Sequence, residues 1–324
     1  MSHEVAVLLA LFVVFVSAQF GAEIAQRLKM PGVVGEIAAG CLIGPSVLNW
    51  VHIDQPLEML AEIGAVLLLF SVGLETRLAD LKKVGRAAAT VGVLGVLLPF
   101  VIGGAWASMN GFDTPRALFV AVAFVATSAG ITARVLQELG VLDQLESKVI
   151  MGAAVIDDIL AMLLLGVVTA LQGGGSVNLT HLLLVMLQAV GFVVLIALAG
   201  TRIMRHSSDL LEAPINPRSP LTLSLALCLG LAAAAAYLGL AAIIGAFLAG
   251  MAVAETRQRE TLERQLKPIE ALLVPFFFVI TGANIKLAEL ASAEALTTLL
   301  VITVLAIVSK LVGCGIGAWS MGFR

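Results

Sequence analysis

The chain has 324 residues, of which 60% are hydrophobic and 13% charged, with a formal net charge of −3 at pH 7. Its mean hydropathy of +1.05 excludes an ordinary soluble domain. The absence of a basic stripe with interleaved aromatics gives no support to nucleic-acid binding, and the lack of short alternating segments excludes a membrane β-barrel. Apolar runs of roughly 18 or more residues recur along the whole length, the pattern of helices spanning a ~30 Å hydrocarbon core.

Taken in chain order, the apolar runs between charged or Pro/Gly-rich breaks predict eleven spans. They cover 5–26, 31–50, 57–74, 87–109, 115–137, 149–171, 179–203, 220–237, 239–254, 270–284 and 292–320. The first, MSHEVAVLLALFVVFVSAQFGAEI, lacks a basic leader and carries Glu4, so it reads as a retained span and not a signal peptide. Only Gly239 punctuates the pair 220–237 and 239–254. Glycine and alanine inside the runs suit close helix packing in lipid. Cys41, Cys228 and Cys314 sit in apolar segments without ligand or disulfide spacing and read as small core residues.

The basic residues test the count. Placed alternately on two sides, the odd-numbered connections and the C-terminus hold sixteen Lys and Arg, among them Arg27, Arg77, Arg134, Arg202, Arg218, Arg264 and Arg324; the even-numbered connections hold Arg116 and Lys286. The positive-inside rule then puts the N-terminus outside and the C-terminus in the cytoplasm. One lysine is left over: Lys310, deep in VITVLAIVSKLVGCGIGAW.

It is matched by AAVIDDILAML, residues 153–163, where Asp157 and Asp158 are the only charges between Val149 and Leu171. An ionisable group at mid-bilayer costs several kcal/mol and marks a functional site by default. A structural Asp–Lys tie between helices is the plain alternative; two consecutive acids exceed what it needs. Neighbours on a helix point about 100° apart, so one carboxylate is expected to meet Lys310 and the other a water-filled cavity. A carboxylate is also a hard oxygen ligand for a small cation. A site that holds either a proton or a cation has the minimal chemistry of an antiporter.

Upstream, AFVATSAGITARVL (123–136) crowds Thr127, Ser128, Gly130 and Thr132 into the middle of the fifth span. That composition predicts an interrupted helix whose freed carbonyls and dipole ends face an ion, although hydroxyls also bond back to their own helix. In PFFFVITGAN, Pro275 and Gly282 permit a kink. Glu36, five residues after Pro31, is assigned a structural or gating role near the cytoplasmic interface rather than ion binding. Glu62 and Glu75 read as solvated or interfacial, and Arg134 with Glu138 as a local i,i+4 pair. His3, His52, His181 and His206 fall at span ends or loops, as surface residues.

These segments together resemble the bacterial sodium/hydrogen exchanger superfamily, in particular its cation:proton antiporter-2 family. The landmarks are PGVVGEIAAGCLIGPSVL, LAEIGAVLLLFSVGLE, ATSAGITARVLQELG, AAVIDDILAMLLL, IIGAFLAGMAVAE, PFFFVITGANIKL and the lysine of VSKLVG, in the family's order over nearly the whole chain. The resemblance implies an inverted-repeat, all-α polytopic membrane fold and elevator-type alternating access. It assigns 87–171 and 292–320 to the ion-transport bundle, and 5–74 and 179–284 to dimerisation, scaffold and linking helices. It implies Asp158 as the main proton and cation ligand (Na+ foremost), Asp157 paired with Lys310, and Thr127 and Ser128 in the unwound segment. An Asp-Asp pair with a lysine resembles the electrogenic sodium/proton exchangers; potassium efflux relatives usually carry Gln before the Asp, and electroneutral ones Asn. The family continues with two more spans, so this chain holds eleven of an expected thirteen.

The expected function is therefore exchange of a monovalent cation for protons in a bacterial inner membrane, serving pH homeostasis, with transported ions and no cofactor, lipid as surroundings and a homodimer as the assembly. Potassium/proton exchange is the runner-up. An intramembrane aspartyl protease needs acids on two facing helices, which adjacent positions on one helix do not supply. A non-transporting structural role is the remaining alternative.

Overall fold

The computed structural model describes residues 3–172, 179–206, 219–290 and 292–323, and among them every regular element is helical. The helices are α1 (His3–Arg27), α2 (Gly32–Ile43), α3 (Gln55–Glu75), α4 (Leu78–Met109), α5 (Thr114–Val125), α6 (Ala129–Glu138), α7 (Leu145–Gln172), α8 (Leu179–Leu195), α9 (Thr201–His206), α10 (Ser219–Tyr237), α11 (Ala242–Val253), α12 (Arg259–Ala283) and α13 (Ala293–Ser320). A π-helical turn, Ile196–Gly200, joins α8 to α9. Among the described residues nine segments are long and apolar enough to cross a membrane, with α5 and α6 forming one of them, and α2 and α11 are shorter apolar helices. Each of the eleven corresponds to one span expected from hydropathy. Arg218 and Arg324, two of the sixteen basic residues, lie outside the described residues.

Several boundaries differ from the expectation, and each has a local cause. Helix α2 stops at Ile43 and not at residue 50, because Pro45 forces Gly44 into an extended conformation (ψ 177°); at about 18 Å it is too short to cross alone. The following loop folds back, with Trp50 and Val51 donating to the Ile43 carbonyl. Helices α4 and α12 begin nine and eleven residues before the expected spans, at Leu78 and Arg259, since charged residues tolerate helix as well as loop. Asp54 caps α3 by accepting from the Leu57 amide at 3.2 Å, with Pro56 in its first turn. Ser292 caps α13 through Ala295. Gly239, at φ +79°, makes the turn between α10 and α11 that a residue with a Cβ adopts only under strain.

The helices form two packed groups. In one, α4 lies against α5, α7 and α13; in the other, α12 joins α1, α2 and α3 on one side of a panel that α11 and α10 complete. Helix α6 lies between them, touching α2, α3 and α7. Panel helices meet backbone to backbone: a Cβ on Gly73 would overlap the Phe247 carbonyl, and one on Gly250 the Phe70 carbonyl. Such contact is how helices gain dispersion where lipid removes the hydrophobic drive. Gly73→Val is expected to force α3 and α11 apart and destabilise the protein by about 1–3 kcal/mol, read as a lower melting temperature in detergent; an unchanged melting temperature would contradict the close crossing.

Candidate functional site

The site begins where α5 ends. The chain leaves helical geometry at Ala126 (ψ 118°) and resumes it after Ser128 (ψ 107°), so 126–128 are extended in the middle of a span. Two side chains shape this break. The Thr127 hydroxyl donates to the Val125 carbonyl at 3.1 Å, competing with the helix ladder. The Ser128 hydroxyl accepts from the Ile131 amide at 3.3 Å and caps α6. Thr132 is spent within α6, donating its hydroxyl to the Ser128 carbonyl at 3.0 Å.

The carbonyl freed at Val125 is met by a cation from another helix. Lys310 Nζ donates to Val125 O at 3.0 Å and to both oxygens of Asp157, at 3.0 and 2.9 Å. Asp157 is 5% exposed, and the Thr127 hydroxyl is also within its hydrogen-bonding reach. One ammonium thus joins α13, α7 and the end of α5. Small residues seat it: a Cβ on Gly313 would meet the Leu94 carbonyl at 2.5 Å, one on Gly317 the Val91 Cα at 2.9 Å, and one on Gly95 the Cys314 Sγ at 2.8 Å. A cavity of about 200 Å³ adjoins the pair, with Thr127, Thr132, Asp157 and Lys310 on its wall.

Asp158 is placed differently. It makes no hydrogen bond or ion pair with the described residues and is half-buried. Val155, Ile159, Met162 and Leu163 on the same helix pack into the core cluster shared with α3 and α11. At 100° per residue Asp158 flanks that stripe, about 40° beyond Met162 on the side toward Asp157, so it lies at the seam between the panel-facing residues and the bundle into which Asp157 turns. Across that seam, a Cβ on Gly130 would lie 3.1 Å from the Phe277 ring. The structure therefore brings Asp157, Lys310 and Thr127 into contact, sets Asp158 beside them without a hydrogen bond or salt bridge to the described residues, and uses Ser128 as a cap.

Three participants are not apparent in the sequence. The Val125 carbonyl has no side-chain signature. Glu270, 7% exposed, falls at the edge of an expected span and is hidden by the misplaced start of α12. Glu138 pairs with Arg134 at 2.9 Å as its spacing suggests, but also binds the Gly32 amide at 2.6 Å. Glu36 is buried at 5% exposure, deeper than an interfacial position implies. Glu62 is exposed, whereas Glu75 is half-buried and bonds to Gln137. Among the described residues no three His, Cys, Asp or Glu side chains converge as a resident metal site.

Comparison with known proteins covers the same ground. Residues 7–324 match the model for the transmembrane sodium/hydrogen exchanger family. The chain is 35% identical to the Na(+)/H(+)-K(+) antiporter GerN of Bacillus cereus, over 96% of this chain and 79% of that protein. It is 33% identical to the high-affinity Na(+)/H(+) antiporter NhaS3 of Synechocystis, over 94% and 75%. The fold resembles the sodium proton antiporter MjNhaP1 of Methanocaldococcus jannaschii at pH 8, with a TM-score of 0.65, 20% identity, and coverage of 98% of this chain and 80% of that one.

Proposed function

Since the chain belongs to the sodium/hydrogen exchanger family, we propose that it exchanges a monovalent cation, Na+ foremost, for protons across a bacterial inner membrane. The observation that carries this reading is the unequal treatment of two adjacent acids. Asp157 is held by Lys310, whereas Asp158 makes no hydrogen bond or salt bridge with the described residues. A carboxylate in low dielectric without a basic partner is neutralised by whatever cation reaches it. A proton and a Na+ compete for the same oxygens, and mutual exclusion at one site couples their fluxes.

In this mechanism Asp158 is the exchanging ligand. The Thr127 hydroxyl and the carbonyls of the break supply further oxygens of the kind an alkali ion takes in place of water. Lys310 fixes Asp157 and the broken helix together, so the site travels as one unit. We assign α4–α7 and α13 to the moving bundle, and α1–α3 with α8–α12 to dimerisation, scaffold and linking, with elevator-type access, the N-terminus outside and the C-terminus in the cytoplasm. Electrogenic exchange needs a second proton per cycle beyond the one exchanged at Asp158, and the Asp157–Lys310 pair is the neighbouring group that would carry it by parting and re-forming. Potassium/proton exchange is the second reading, favoured by the name of the Bacillus cereus relative.

Proton flux in proteoliposomes challenged with Na+, K+ and Li+ pulses tests the proposal. Cation-dependent flux would support it and select the cation; sealed vesicles with none would reject it. Asp157→Asn is expected to slow exchange and change the charge moved per cycle, measured by the dependence of flux on an imposed potential. An unchanged stoichiometry would refute the division of labour between the two acids.

A further inference from the structure

Helix α2 starts without a side-chain cap of its own. Its cap position is Pro31, which offers no side-chain oxygen, so the Gly32 amide that opens α2 has no partner within the helix. Glu138, the last residue of α6, supplies one: its Oε2 accepts from the Gly32 amide at 2.6 Å, from 106 residues away in sequence. A carboxylate suits that place, where the helix dipole favours negative charge. The other oxygen of Glu138 lies 2.9 Å from Arg134 Nε, one turn back on α6.

Arg134 has further carboxylates around it. Glu36, one turn along α2 from Gly32, and Glu270 on α12 both interact electrostatically with it. They are 5% and 7% exposed, and Glu36 Oε2 and Glu270 Oε1 have no hydrogen-bond partner among the described residues. On the same side, Gln137 of α6 bonds to Glu75 at the end of α3, whose carbonyl accepts from Arg259 Nη2 at 3.3 Å. The half-helix that starts beside the ion site is thus tied at its far end to the panel by Glu138, whose arginine partner already has two further carboxylates in electrostatic reach.

We propose that Arg134 and Glu138 form a releasable clasp between α6 and α2, opened when the Glu138 carboxylate leaves the Gly32 amide and Arg134 turns to Glu36 or Glu270. This rests on the antiporter reading, in which α6 moves with the site while α2 stays with the panel. The exchange of partners keeps the guanidinium paired at both ends of the movement, which gives the two discrete arrangements that a switching contact needs. Arg134 and Glu138 are positioning residues here; neither touches the transported ion.

Amide hydrogen exchange on the full chain, beside cation-dependent proton flux, tests this. Glu138→Ala is expected to raise exchange at residues 32–36 of α2 on the order of tenfold, leave the 300–313 stretch of α13 unchanged, and shift the half-saturating cation concentration several-fold with exchange retained. Glu138→Gln keeps an acceptor for the Gly32 amide but loses the ionic tie, so it should lie between the two and decides the matter if the alanine variant does not fold. Unchanged protection of α2 in both variants would reduce Arg134–Glu138 to a local pair and overturn the clasp. Loosened α2 with unaltered flux parameters would overturn its role in switching. Absence of flux in the unaltered protein would reject the antiporter reading, while the exchange data would still decide whether α6 caps α2.

Discussion

Asp158→Asn is expected to abolish cation-dependent proton flux, down to the leak of protein-free vesicles, while the protein keeps its fold. The expectation follows from what surrounds Asp158. It has no hydrogen bond or ion pair with the described residues to lose, so an amide of the same shape disturbs little, and stability should stay within about 1 kcal/mol. An amide neither takes up a proton nor neutralises a cation, so both competing ligands lose their site together. Flux assays beside a melting curve in detergent check both halves. Surviving flux would move the exchanging ligand elsewhere; a collapse in stability would make Asp158 structural.

Lys310→Ala is the change with the largest expected effect on stability. It leaves the Asp157 carboxylate, 8% exposed as a side chain, without its ionic partner, and the Val125 carbonyl without the donor it has at 3.0 Å. Removing one member of a buried pair costs about 3–5 kcal/mol, mostly because the other is left unpaired. A cycle with Asp157→Asn separates this from lost packing: the double variant should recover most of the stability lost in Lys310→Ala. If the two losses simply add, the ammonium does not work through Asp157.

How far these features could be read without the structure depended on their range along the chain. The eleven apolar segments are local signals in composition, and the crowding of Thr127, Ser128 and Gly130 is a local signal of a broken helix. Lys310 was conspicuous because every other basic residue falls at or beyond the end of an apolar run. Helix ends were less legible, and for opposite reasons. At Gly44–Pro45 a punctuating signal was present but hydropathy ran on past it to residue 50. At Arg259–Lys267 a charged stretch reads as a connection, yet α12 runs through it, which conceals Glu270 inside a helix. The partners of Glu138 and Val125 were out of reach altogether, since a contact across 106 or 185 residues leaves no mark on spacing. What the sequence presents as an i,i+4 pair is, in three dimensions, also the cap of another helix.

The central claim is that one carboxylate site holds either a proton or a cation, and displacement tests it most directly. Purified protein in weakly buffered detergent solution is titrated with NaCl, then KCl, while a pH electrode follows the protons released. The account predicts saturable release on addition of the transported cation, stoichiometric with protein and absent in Asp158→Asn. Cation binding without proton release, or release that persists in Asp158→Asn, would contradict it.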